Sequence, residues 1–195
     1  MTARGFARAM AGAASRPVAY GHFQRAVLVL LAANTTLYVW HGTTSEAVDT
    51  LAWFTLLVLF YWETETDSLV TRAAPAVAVR LARLAAGAAV TVTAIAYTHE
   101  RVWLDAANSW LWIAVVLLLE LEVRYPGQVE QHRGRFSAAA ATLYGALTLL
   151  PLAWLAQAQW LAAYDAVLWL IAFATIEINV LSAPRPSAAS SGALS

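Results

Sequence analysis

The chain contains no cysteine and no lysine. Without thiols it can form no disulfide, thiolate metal site or cysteine nucleophile. Without lysine, all twelve basic residues are arginine, in keeping with an alanine-rich bacterial coding style. Charge of either sign is scarce, at 12% of residues against about 25% in an average soluble domain. The formal net charge is zero, which leaves no basic patch or stripe of the kind that nucleic acid requires. There is no H-E-x-x-H, no G-x-S-x-G and no glycine-rich phosphate loop, so no motif names a catalytic group or a cofactor.

What is abundant is apolar: 61% of the residues are hydrophobic and the mean hydropathy is +0.60. A soluble chain of this size could not bury so much apolar surface, and the alternative solvent is lipid. A membrane span needs about 20 mostly apolar residues, because a helix rises about 1.5 Å per residue across a core about 30 Å thick. Six segments meet that description, at about 23–41, 47–64, 77–98, 103–123, 136–158 and 161–181. The expected fold is therefore an all-α membrane protein of six transmembrane helices over residues 23–182. The last two segments, separated by "AQAQWLAAYD", together reach about twice a bilayer span and read as a tight hairpin.

Residues 1–22 read as an arginine-rich arm. Their small residues and basic start resemble a signal peptide, but the continuous apolar middle is missing. Residues 183–195, "APRPSAASSGALS", are rich in proline, serine and alanine and read as a disordered tail. Eleven arginines lie in the arm, the two connections on its side of the membrane, their flanks and the tail, against Arg101 alone on the other side. Arginine excess marks the cytoplasmic face, so the expectation is a bacterial inner-membrane protein with both termini inside.

Aligning the second, fourth and sixth segments brings Glu63, Glu120 and Glu177 together at a step of 57 residues, followed two positions later by Glu65, Glu122 and Asn179. Asp49, Asp105 and Asp165 correspond more loosely at the other end. Two readings stand: one helix hairpin used three times, or charges collecting at helix ends because the middle is lipid. The arginine ladder of a voltage sensor and the Pro-x-acid-x-x-base signature of the mitochondrial carriers are both absent.

Two groups of polar residues are candidate sites. Glu63, Glu120 and Glu177 would form an acidic ring at the cytoplasmic mouth, attractive to cations. The competing reading is ion pairing, since Glu120 and Arg124 stand four apart in the stabilising orientation. On the outer face, His41, Glu46, Asp49, His99, Glu100 and Asp105 are residue types that bind zinc or copper, although their spacing matches no established motif. There they would otherwise be interfacial groups beside an aromatic belt of Trp40, Trp103, Trp154 and Trp160. Asn34, Thr35, Thr36, Thr91, Thr93, Tyr97, Thr142, Tyr144 and Thr148 suggest that the first, third and fifth segments line the centre.

Two functions follow. One is a non-catalytic subunit or assembly factor, contacting lipid and either a membrane-protein partner or further copies of itself through the tryptophan-rich second, fourth and sixth segments. The other is a small cation transporter or channel using the acidic ring.

Overall fold

The computed structural model describes residues 18–65 and 76–182. The tail, most of the arm and the 66–75 connection lie outside the described residues. Every element within them is a helix: α1 (Val18–His41), α2 (Thr44–Glu65), α3 (Ala76–Glu100), α4 (Trp103–Arg124), α5 (Pro126–Gln131), α6 (Arg133–Ala156) and α7 (Trp160–Ser182). The stretches Val77–Glu100, Trp103–Glu122 and Arg133–Ala156 are long and apolar enough to cross a membrane. The chain is thus a helical, membrane-embedded protein.

Three short turns join the long helices in pairs. Between α1 and α2, Thr43 Oγ1 accepts the Glu46 N–H at 3.3 Å while Glu46 Oε2 accepts the Thr43 N–H at 2.6 Å. This reciprocal cap satisfies two donors that a helix start would leave unbonded. The neighbouring Gly42 is required by close approach, because a Cβ there would stand 2.6 Å from the Tyr38 carbonyl oxygen. The other two turns use a different device. Arg101 and Ala158 adopt left-handed backbone, with φ of 60° and 57°. Each lets the next residue fold back, so that the Val102 N–H bonds the Tyr97 carbonyl at 3.0 Å and the Gln159 N–H bonds the Trp154 carbonyl at 2.9 Å, the Schellman ending of a helix.

The six long helices pack as a closed ring. α2 packs on α1 and α3, α4 on α3 and α6, and α7 on α6 and α1, with α5 bridging α4 and α6 at the opposite end. The backbones of α2, α4 and α7 do not touch one another, and their aromatic side chains span the space between them. Trp53 lies 6.4 Å from Trp112 and 6.2 Å from Trp169 between ring centroids, and Phe173 lies 4.4 Å from Trp112. Leu31, Val90, Leu147 and Val115 are buried around this aromatic plug.

The centre differs from the sequence expectation. Asn34, Thr93 and Tyr97 do turn inward, but Thr36, Thr91, Thr142 and Thr148 are exposed. Each of these hydroxyls bonds the carbonyl four residues back on its own helix, at 2.7–2.9 Å. A threonine satisfied in this way needs no partner helix. The tryptophans divide as well. Trp40, Trp103 and Trp160 are exposed as a belt would require, whereas Trp154 is only 2% exposed and belongs to the interior. Trp53, Trp112 and Trp169 are likewise turned away from lipid.

Candidate functional site: a polar cavity under the hairpin turns

Buried positions recur along the chain at one pair of intervals. From Trp53 to Trp112 is 59 positions and from Trp112 to Trp169 is 57, and the same two steps connect Leu31, Val90 and Leu147. They also connect Tyr38, Tyr97 and Trp154, and the helix starts Thr44, Trp103 and Trp160. This register departs from the uniform step of 57. It pairs Trp53 with Trp112 rather than Trp110, and Asp49 with Asn108 rather than with its looser counterpart Asp105. The three segments are then "DTLAW", "NSWLW" and "DAVLW", each with a polar residue four before an inward tryptophan. Residues four apart share a helix face, so the polar groups must follow the tryptophans into the bundle.

They do so beneath the hairpin turns. Asp49, Asn108 and Asp165 line a cavity of about 30 Å³ together with Tyr38, Glu46, Thr50, Tyr97, Asp105, Ser109, Trp154 and Ala162. A deeper lobe of about 20 Å³ shares Asp49, Thr50, Asn108 and Asp165 and is floored by Trp53, Trp112 and Trp169. Asp49 and Asp165 each stand five residues into their helices, roughly 7 Å along the axis.

Two of the three polar positions are held by the neighbouring helix pair. Asn34 Nδ2 on α1 donates to Asp165 Oδ1 on α7 at 2.5 Å, and Thr93 Oγ1 on α3 donates to Asp49 Oδ1 on α2 at 2.7 Å. Asn34 and Thr93 are themselves 59 positions apart. The third member of that series is Leu150 on α6, the helix that packs on α4. A leucine has no hydrogen to donate, and Asn108 Oδ1 has no partner among the described residues.

Two further polar atoms lining the cavity are unpartnered among the described residues. Ser109, 1% exposed, has no bond at Oγ, and Trp154 has none at Nε1. The counterpart of Ser109, Thr50, does bond its own helix through the Glu46 carbonyl at 2.8 Å. The remaining unpartnered atom, Asn34 Oδ1, is outside the cavity lining. Buried polar atoms are rarely left without partners, and each such case calls for an explanation.

Of the outer-face candidates, Glu46, Asp49 and Asp105 reach this cavity, while His41, His99 and Glu100 are exposed. Glu46 is already engaged in its cap. No group of three or more histidine or carboxylate side chains among the described residues is arranged to hold a metal ion. Asn108, Ser109, Asp165 and Trp154 are not among the candidates that the residue types suggest. The signal that finds them is the polar-x-x-x-tryptophan spacing, which an alignment built on glutamates hides.

At the opposite end, Glu120 is exposed and bonds Arg124 Nε at 2.5 Å. The side chains of Glu63 and Glu177 lie outside the described residues. The intervals of the core put Glu63 in register with Glu122 and Asn179. No protein-family model matches the chain, and no curated protein or solved structure matches it.

Proposed function

We propose that this chain is a small cation transporter of six spans, built from three copies of one helix hairpin. The observation that carries this reading is the cavity lining. Four carboxylates, Glu46, Asp49, Asp105 and Asp165, are drawn into it, and among the described residues no arginine or histidine lines it. Removing a carboxylate from water costs several kcal/mol unless a counter-charge accompanies it, and ionisable groups within a membrane bundle mark ion pathways. A cation entering from the hairpin side offsets that cost. The aromatic plug of Trp53, Trp112, Trp169 and Phe173 lies across the onward path. Passage therefore requires these rings to shift, which is the behaviour of a gated carrier rather than an open pore.

The arginine distribution supports placing both termini in the cytoplasm of a bacterium and the cavity on the outer side. Because the chain has no cysteine, single cysteines introduced at Thr43 and at Gln128 give a direct check. An impermeant thiol reagent applied outside whole cells should label the first and not the second. For transport, the purified chain in proteoliposomes should carry a cation current above protein-free vesicles, reduced at least tenfold by Asp49→Asn together with Asp165→Asn. Equal flux with and without protein would remove this reading. The subunit reading rests on the exposed surface of Trp40, Trp62, Trp103, Trp110 and Trp160, which lipid contact explains equally well. Recovery of a stoichiometric partner in gentle detergent would favour it.

A further inference from the structure

The three polar stations of the cavity are not equivalent. At two of them a carboxylate receives a hydrogen bond from the next helix pair, Asn34 to Asp165 and Thr93 to Asp49. At the third, between α4 and α6, an amide replaces the carboxylate and Leu150 replaces the donor. The fully buried, unpartnered side-chain polar atoms of the cavity lining, among the described residues, collect there: Asn108 Oδ1, Ser109 Oγ and Trp154 Nε1. Two of these side chains are almost completely buried, at 1% exposure for Ser109 and 2% for Trp154. The site is thus asymmetric where the helices around it recur at regular intervals.

We infer that the α4–α6 station binds a small monovalent inorganic cation of the alkali type, held by Asn108 Oδ1 and Ser109 Oγ beside the carboxylates of Asp49 and Asp165. This assignment rests on the reading of the cavity as a cation site and adds its place and its ligand class. Size excludes drug-sized organic cations: such ligands occupy pockets of roughly 300–1,000 Å³, whereas this cavity measures about 30 Å³. One water needs at least about 10–15 Å³ on the same measure, so the space suits an ion and a single water. The Trp154 N–H, a donor, cannot ligate a cation and instead bonds the water that completes the ion's shell.

Charge number follows from the lining. Calcium takes 6–8 oxygen ligands, commonly with several carboxylates converging on it, and no convergent group of three acids or histidines exists among the described residues. Two carboxylates that each already accept a hydrogen bond from a neighbouring helix, beside neutral amide and hydroxyl oxygens, make a weaker field than a cage of convergent acids and suit a singly charged hard ion. The oxygen-only set also disfavours zinc and copper, which prefer nitrogen and sulfur.

Tryptophans 53, 112, 154 and 169 surround the cavity, so intrinsic fluorescence reports its occupancy. The full-length chain in detergent would be titrated with sodium chloride against choline chloride at constant ionic strength, then with potassium, lithium and calcium chloride. Sodium should give a saturable change that choline does not. Asn108→Leu and Ser109→Ala should each weaken it at least tenfold. Leu150→Thr is the sharper variant, because position 150 stands in register with the donors Asn34 and Thr93 and a hydroxyl there would supply the donor that Asn108 Oδ1 lacks. It should raise thermal stability while weakening sodium binding at least tenfold, a combination that a merely structural role for Asn108 does not produce.

Absence of any saturable sodium response from protein with native helical content would overturn the assignment. So would unchanged affinity in a folded Leu150→Thr variant, or calcium binding more than tenfold tighter than sodium. Failure here is separable from failure of the transport reading. Cation flux without specific sodium binding removes this site and leaves transport standing, whereas sodium binding without flux removes transport and leaves the site.

Discussion

Glu120 and Asp165 lie at opposite ends of the same bundle and have little in common beyond a carboxyl group. Glu120 is exposed and bonded to an arginine one turn away on its own helix, and Glu130 near the end of α5 pairs at 3.2 Å with Arg133 at the start of α6. Asp165 is half-buried between helices, bonded to Asn34 from α1 across the closure of the ring. Glu120 and Glu130 are solvated and paired locally, so their energetic weight is small. At the second end Asp49 and Asp165 are drawn inward and bonded between helices, and buried unpartnered polar atoms line the same cavity. The lesson is that spacing from an inward tryptophan, rather than the presence of acid, separates a polar position inside the bundle from a polar helix end.

The contrast can be broken most forcefully at the plug. Trp112→Ala should destabilise the bundle by about 3–5 kcal/mol, the usual range for deleting a large buried ring, measured by denaturant unfolding in mixed micelles. Trp62→Ala at the exposed opposite end should change stability by less than about 0.5 kcal/mol. Equal effects would mean that the plug is not the core. Next in size is Asn34→Ala, expected to cost about 1 kcal/mol, since interhelical hydrogen bonds in membranes average about 0.6 and reach about 1.7 kcal/mol. A cost below that of Glu120→Gln would undo the distinction between the ends.

The turns allow a change in the opposite direction. Ala158 holds a left-handed conformation that costs a side-chain-bearing residue roughly 1–2 kcal/mol and glycine almost nothing. Ala158→Gly should therefore raise stability by up to about 1 kcal/mol, after subtracting the greater freedom glycine has when unfolded. Gly42→Ala should lower stability, because the new methyl meets the Tyr38 carbonyl oxygen. The smallest effect belongs to Glu120→Gln, within about 0.5 kcal/mol and fading with added salt, as befits an exposed pair four residues apart.

Helical class and lipid as solvent are legible in the residues alone, because composition shows more apolar surface than a soluble fold can hide. The break at residues 157–159 is also legible, from length. Less legible is which face of each helix points inward. In a membrane segment the apolar pattern carries little information on this, since apolar residues face lipid and core alike. An alignment on Glu63, Glu120 and Glu177 therefore reads as well as one on Trp53, Trp112 and Trp169, although the two differ by two residues in the first helix pair. On a helix that shift moves a side chain to nearly the opposite side.

The sequence by itself determined that this is a helical membrane protein with scarce, unevenly placed charge, because hydropathy and arginine count are sums that need no geometry. Only the tertiary structure decided that Asp49, Asn108 and Asp165 share one cavity and that Asn108 Oδ1, unlike the two carboxylates, has no partner among the described residues. Those facts depend on which residues of distant helices meet when the ring closes. In a bundle surrounded by lipid, packing and a few interhelical hydrogen bonds settle that closure, and one-dimensional apolarity does not record it.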